Sequence, residues 1–272
     1  AGIQMLGKLI KFDLKYGIKI FILLHGILIV LSVLGRFLFM DRLSFDNPNA
    51  ALVSNVALFA SAMLFLLIAV CFCTWLIITF RFYRNLFTGE GYLSWTLPAS
   101  GVQHLWAKII SGCIWYALDC FIMAGCILLL VTGNNVTEAY SHIAPEFNTE
   151  LGMSLSRFAL LLFLIMLASC PLTVIQTYFC IVIGQIFPAH RILGAVAAYF
   201  ISNFVIQILS FALQIGTGFF PEYILVGQSG SSDQVGMYLF SMIGYSILMM
   251  IVIAAAQYAV THYIMKKKIN LL

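Results

Sequence analysis

The stretch RFYRNLFTGEGYLSWTLPASGVQHLWAK, from Arg81 to Lys108, is the long polar and basic interruption around which this chain is organised. Residues 88–91, with the sequence TGEG, favour turns and are costly in hydrocarbon, so the chain bends there. A short apolar run, YLSWTL at residues 92–97, follows. Ser100 and Gln103 then have the capping-box spacing that begins a new helix. The stretch therefore predicts a helix end, a turn, a short surface helix, a cap and a further helix.

The composition of the chain places the rest of it in a membrane. Of 272 residues, 62% are hydrophobic and 9% are charged, whereas soluble domains have about 45–50% apolar and about 25% charged residues. A segment of about 20 apolar residues spans the bilayer core of about 30 Å. The length suits six such helices with modest loops. We therefore expect an all-α, polytopic membrane protein with six transmembrane helices and no soluble catalytic domain.

The predicted organisation has three parts. Residues 1–16 form an amphipathic helix at the membrane interface, because Lys8, Lys11, Lys15 and Lys19 recur at helical spacing. A cleaved signal peptide is the competing interpretation, but no small-residue cleavage pattern precedes Arg36. Residues 17–265 form the six-helix domain, and residues 266–272 form a basic cytoplasmic tail. The predicted spans are 17–38, 53–80, 105–132, 158–187, 192–218 and 237–265, joined by the cytoplasmic loop 81–104 and the external loops 39–52, 133–157 and 219–236.

Positive charge is distributed unevenly between the two sides of the predicted membrane. With the N-terminus inside, eleven of the 14 Lys and Arg residues are cytoplasmic, and Arg36, Arg42 and Arg157 lie outside. This bias predicts that both termini are cytoplasmic. The formal net charge of +4 is too small and too clustered at the membrane edges to indicate a nucleic-acid partner. Anionic lipid headgroups of the bilayer are the expected partner of these cations.

Part of the opening stretch, NLFTGEGYLSWTLPAS at residues 85–100, resembles the loop of ABC-2 type transporter permeases. In that family the loop forms a short coupling helix that docks on a separate ATPase subunit. The basic N-terminus and the order of six apolar segments extend the likeness more loosely over the chain. An ordinary polar loop of some other six-helix membrane protein is the alternative. The matching positions are Leu86, Phe87, Glu90, Gly91, Tyr92, Leu93, Leu97 and Pro98.

The resemblance implies the membrane subunit of a bacterial half-transporter, similar to the permeases that export bacteriocins and phenol-soluble modulins. Such a permease forms a homodimer in the cell membrane, works with two copies of an ABC ATPase and exports an amphipathic cargo, such as a toxin-like peptide. ATP would be bound by the partner subunit, so no cofactor and no enzyme activity are expected on this chain. The residues expected to couple to the ATPase are Leu86, Phe87, Glu90, Tyr92 and Leu93.

Other classes of function find little support in the sequence. The chain lacks the GxxxxGK[ST] phosphate loop, the HExxH zinc helix and the GxSxG nucleophile elbow. Its seven cysteines lie inside apolar segments, which favours packing roles over disulfides or metal binding. A stand-alone membrane carrier or membrane enzyme is the rival class. It would be expected to have several buried ionisable groups or broken helices, and this chain offers Asp119 and Pro171.

The fifth predicted span carries a stripe of polar residues at membrane depth. Its members share one helical face, since their spacing is three or four residues. Either the stripe packs against a neighbouring helix with its amides hydrogen-bonded, or it lines a route for a partly polar substrate. The resemblance favours the second interpretation, because in that family the second and fifth helices border the central cavity at a dimer interface. The stripe consists of Asn203, Gln207, Ser210 and Gln214.

Asp119 lies about halfway along the third predicted span. An unpaired carboxylate there would be costly, so we expect it to be paired or protonated. His25 and Arg36, both on the first span, are the candidate partners. A structural pair and a proton-coupled step are both compatible with this placement, although one acid without a relay favours the structural role.

Overall fold

The structure is a computed structural model that describes residues 2–44, 49–216 and 232–267, and within these ranges helices joined by short connections occur without a strand. Eight α-helices and one 3-10 turn occupy the described ranges. Six of these helices, all except Gly89–Trp95 and Asn134–Leu151, are long and apolar enough to cross a membrane. This confirms the predicted all-α fold with six candidate transmembrane helices. The elements are α1 Gly2–Leu38, the 3-10 turn Met40–Arg42, α2 Ala50–Phe87, α3 Gly89–Trp95, α4 Gly101–Val131, α5 Asn134–Leu151, α6 Leu155–Gly184, α7 Arg191–Gly216 and α8 Ser232–Lys267.

The N-terminal lysine-rich segment and the first spanning segment form one continuous helix, α1. The predicted boundary between residues 16 and 17 is therefore not a helix end. At 1.5 Å per residue, the 37 residues of α1 extend over about 55 Å, well beyond the bilayer core of about 30 Å. The polar first turns of the helix can therefore lie outside the bilayer core. That these turns lie in the plane of the interface stays a prediction.

The segment 133–157, predicted to be external, differs from its prediction as an exposed connector. Most of it forms the 18-residue helix α5, which packs against α8, α6 and the 3-10 turn. Pro145 lies inside this helix, and Gly152 follows its end with φ of 66°, a left-handed conformation that favours glycine. Sequence patterning missed α5 because its composition is typical of a loop.

The remaining predicted loops are described in part. In the loop 39–52, which is predicted to be external, Met40–Arg42 forms the 3-10 turn and residues 45–48 lie outside the described ranges. Residues 217–231, which include most of the predicted loop 219–236, also lie outside them. The predicted tail begins within a helix, because Lys266 and Lys267 belong to α8, and residues 268–272 are beyond the described part.

The link between α6 and α7 is short, which predicts that the two helices are antiparallel neighbours. They pack along each other as expected. A Cβ atom at Gly184 would lie 2.6 Å from the carbonyl oxygen of Arg191 and 2.7 Å from the backbone nitrogen of Ala195. Since both of these are backbone atoms, the close approach of the two helices requires glycine at position 184.

The core of the bundle lies where α1, α2, α4 and α6 meet. Phe82 stacks on Tyr178 with 3.8 Å between ring centroids, and Phe21 stacks on Trp115 at 3.7 Å. In contrast, none of the described residues of α7 is buried. The bundle is therefore tightly packed around α4 and loosely packed around α7.

Candidate functional site

The connection between α2 and α4 contains the predicted short helix. After α2 ends at Phe87, α3 folds back on it: Ser94 Oγ donates to Asn85 Oδ1 at 2.7 Å, and Trp95 Nε1 donates to the Leu86 carbonyl at 3.2 Å. Ser100 then caps α4 through the reciprocal capping box with Gln103. The order of helix end, turn, short helix, cap and helix agrees with the order predicted from the sequence.

The five residues expected to couple to an ATPase fall into two groups. Leu86 and Phe87 are 0% and 5% exposed and belong to the hydrophobic core. They hold the loop on the bundle and offer no surface to a partner. Tyr92 and Leu93 are both 68% exposed on α3. Glu90 lies beside them and pairs with Arg84 through an exposed 2.6 Å contact. The surface available to a partner therefore consists of Glu90, Tyr92 and Leu93.

Gly91 permits the tight fold of α3 on α2. A Cβ atom there would lie 2.7 Å from the Leu86 carbonyl oxygen, whereas a Cβ at Gly89 would meet nothing within 4 Å. We expect Gly91→Ala to displace α3 and to destabilise its docking by about 1–3 kcal/mol, the usual cost of overpacking. The measurement is the rate at which a protease cleaves the loop of the reconstituted protein. Gly89→Ala is the matched control and should cleave at the wild-type rate, and equal cleavage of both variants would contradict the proposed close contact.

A buried charge cluster joins three helices at the same end of the bundle as α3. Asp13 of α1 accepts from Lys108 of α4 at 2.5 Å and from Arg81 of α2 at 3.3 Å. The three residues are 7%, 4% and 9% exposed, respectively. The Arg81 guanidinium also lies 4.8 Å from the ring centroid of Phe12 and 4.2 Å from that of Tyr16. Two cations share one carboxylate, so α1, α2 and α4 are linked through Asp13.

Sequence reasoning placed Arg81 and Lys108 among the cytoplasmic cations at the membrane edge and did not single out Asp13. The available signal was an acid within an otherwise basic amphipathic segment. Its two partners are 68 and 95 positions away in sequence, which periodicity does not reveal.

Asp119 is paired with His25, one of its two candidate partners. His25 Nε2 lies 2.7 Å from Asp119 Oδ1, and the two residues are 4% and 1% exposed. His25 Nδ1 lies 2.9 Å from the Phe21 carbonyl oxygen. Because that oxygen only accepts, Nδ1 carries a hydrogen. One further hydrogen then lies between Nε2 and Oδ1, and the pair has no net charge whichever atom holds it.

Arg36, the other candidate partner of Asp119, contacts different groups at the opposite end of the bundle. Its Nε donates to Asp41 Oδ1 at 2.6 Å, and its Nη2 donates to the Thr132 carbonyl at 3.2 Å. Asn135 in α5 donates to the carbonyls of Met40 and Leu43 nearby. These contacts attach the start of α5 and the 3-10 turn to the ends of α1 and α4.

The polar stripe faces a cavity of about 280 Å³ between α6, α7 and α8. Asn203, Gln207 and Ser210 line it, and Gln214 lies one turn beyond, where its Nε2 donates to Ser210 Oγ at 3.4 Å. Gln176 of α6 and Gln257 of α8 add two amides that sequence reasoning did not connect with the stripe. The cavity lies within a single chain. The structure therefore brings most of the stripe together around a space rather than against a closely packed neighbour.

No family model matches the chain, and neither a curated protein sequence nor a solved structure matches it.

Proposed function

We propose that this protein is the membrane permease subunit of an ATP-driven exporter of the ABC-2 type. It acts as a homodimer in the cell membrane with both termini in the cytoplasm. Two copies of a separate ABC ATPase bind ATP and drive it. The cargo is amphipathic, and the resemblance of the loop favours a peptide of the toxin or bacteriocin kind.

The observation that carries the proposal is the exposed apolar surface of α3. Tyr92 and Leu93 protrude from a short helix outside the candidate spans, beside a Glu90–Arg84 pair that is itself exposed. Apolar side chains exposed together in a polar loop are typical of a protein-binding surface. An exposed ion pair contributes only about 0–1 kcal/mol, so Glu90 can exchange Arg84 for a cation on a partner at little cost.

The packing of α3 supports a mechanical role. Its hydrogen bonds to Asn85 and Leu86 attach it to the end of α2, and the Asp13 cluster joins α2 to α1 and α4. A displacement of α3 by an ATPase would therefore move three helices together. Since α6 packs on α4 and also on α7 and α8, the shift would reach the polar cavity.

We expect Tyr92→Ala and Leu93→Ala to reduce binding of the ATPase subunit. An exposed aromatic anchor contributes about 2 kcal/mol to an interface, which corresponds to about a 30-fold weaker complex for Tyr92→Ala. The measurement is co-purification of an untagged candidate ATPase that is co-expressed with this protein, followed by titration of the purified subunits.

Ile143→Ala is the matched control for this experiment. Ile143 is 56% exposed on α5, at the opposite end of the bundle, so its removal should leave ATPase binding unchanged. Wild-type binding by both α3 variants would mean that Tyr92 and Leu93 do not contribute to ATPase binding and would remove the main support for the proposal.

A stand-alone, ion-coupled carrier is the second candidate, and the buried His25–Asp119 pair is the observation that favours it. The two candidates differ in their energy source. Transport into proteoliposomes that contain this chain alone, driven by a pH gradient without ATP, would support the carrier. Transport that requires both the ATPase and ATP would support the exporter.

A further inference from the structure

Two adjoining cavities lie beside α7. The smaller is the polar cavity of about 280 Å³ described above, and the larger has a volume of about 860 Å³. Apolar side chains from the end of α6, from α7 and from α8 form most of the lining of the larger cavity. Ile206, Ile253 and Gln257 line both. The two cavities are therefore neighbours, with these three side chains at their boundary.

The polar cavity offers hydrogen bonds without charge. Its lining contains amides and hydroxyls that both donate and accept, and none of the described residues in that lining is charged. Some of these groups are already engaged: Gln257 Nε2 donates to Ser202 Oγ at 3.1 Å, and Asn203 Nδ2 donates to the Tyr199 carbonyl at 2.8 Å. The polar residues of the lining are Gln176, Asn203, Gln207, Ser210, Ser246 and Gln257.

Gln176 is a lining residue with an unsatisfied hydrogen-bond donor. Its Nε2 atom is buried, and no described residue accepts a hydrogen bond from it. A buried donor without a partner costs about 1–3 kcal/mol, so rotation of this amide towards an acceptor in the cavity would be stabilising. The cavity volume far exceeds the roughly 30 Å³ that one water molecule takes in the liquid, so there is room for a head group of several heavy atoms.

We propose that the two cavities together bind an amphiphile with an uncharged, hydrogen-bonding head group, such as an amide. The head group lies among the glutamines of the polar cavity, and the tail lies in the apolar cavity. A charged head group is disfavoured, because it would lose its hydration at membrane depth without a counter-ion in the described lining. The proposal rests on the proposed function, since it names the class of cargo that the polar stripe selects.

The test is equilibrium binding to the full chain in nanodiscs of dioleoylphosphatidylglycerol, without an ATPase. The probe is radiolabelled N-dodecanoylglycinamide, which has an uncharged amide head. Unlabelled dodecyl sulfate and dodecyltrimethylammonium are the competitors, because they have the same tail with a negative or a positive head. We expect saturable binding of the probe and at least tenfold weaker competition by either charged compound. No saturable binding, or equal competition by a charged compound, would overturn the proposal.

Variants locate the site. Gln176→Met and Gln257→Met should each weaken binding of the amide probe about tenfold, and Ala198→Phe should weaken it by filling the apolar cavity. Gln185→Met is the control, because this glutamine lies on the connection just after α6 and donates to the Ile181 carbonyl rather than to the cavity. Loss of binding in the control, or wild-type binding by Gln176→Met, would contradict the assignment. Competition by the charged compounds is measured on the wild-type protein, so it stays decisive if a variant fails to fold.

This experiment separates the inference from the proposed function. Binding is measured on the permease alone, so a failure of ATPase docking at α3 leaves its result unchanged. Conversely, if the cavities bind no head group, a dependence of ATPase binding on Tyr92 would still support the proposed function.

Discussion

Asp13→Ala is expected to lower the free energy of unfolding by about 3–5 kcal/mol, the usual cost of removing one partner from a buried ion pair. The reason is the charge balance of the cluster. With Asp13 gone, Arg81 and Lys108 remain nearly buried as two cations without a carboxylate. The measurement is unfolding of the purified protein by titration with a denaturing detergent.

The prediction depends on which charge is removed from the cluster, the carboxylate or one of the two cations. Lys108→Met has a side chain of similar length and leaves Asp13 paired with Arg81, without net charge. We therefore expect Lys108→Met to cost much less than Asp13→Ala. Asp41→Ala is the matched control, because Asp41 pairs with Arg36 while being 39% exposed, and such a pair contributes about 0–1 kcal/mol. Equal losses for Asp13→Ala and Asp41→Ala would mean that the cluster does not stabilise the bundle.

His25→Leu is expected to destabilise the protein by a similar amount, about 3–5 kcal/mol, because Asp119 then stays buried without its partner. The double variant His25→Leu and Asp119→Leu should recover most of this loss, since apolar residues of similar volume often replace a buried pair without cost. The measurement is a double-mutant cycle of unfolding free energies. Additive losses in the double variant would show that the two residues are not coupled.

Transport by the double variant separates the two roles left open for Asp119. If the protein is a transporter as proposed and the pair only joins α1 to α4, the stable double variant should transport cargo at close to the wild-type rate. If a proton-coupled step uses the pair, the double variant should fold and yet lose transport. Both outcomes are read from the same reconstituted protein.

The elements that could be predicted from sequence are those that local physics determines. A helix forms wherever about 20 apolar residues must satisfy their backbone groups inside a bilayer, so the six long helices follow from hydropathy alone. The architecture around α3 follows from turn residues and a capping box within a single stretch, from Gly89 to Gln103. In contrast, α5 was missed, because its polar composition hides a helix that the contacts with α8 and α6 support.

The inward or outward direction of each side chain depends on tertiary packing. Most spans are apolar all round, so periodicity does not distinguish a core face from a lipid face. The resemblance of the loop suggested Leu86 and Phe87 as partner contacts, whereas packing buries both and leaves Tyr92 and Leu93 exposed.

Long-range pairing is the other property that only the fold decides. Asp13 meets Lys108 across 95 positions, and His25 meets Asp119 across 94. The stripe on α7 was visible as a pattern, but the cavity it faces exists only because α6 and α8 bring Gln176 and Gln257 to it. Local sequence therefore determines the long helices and their ends. The packing of distant helices decides which polar groups share a buried site, because burial and charge neutralisation depend on neighbours that the local pattern does not specify.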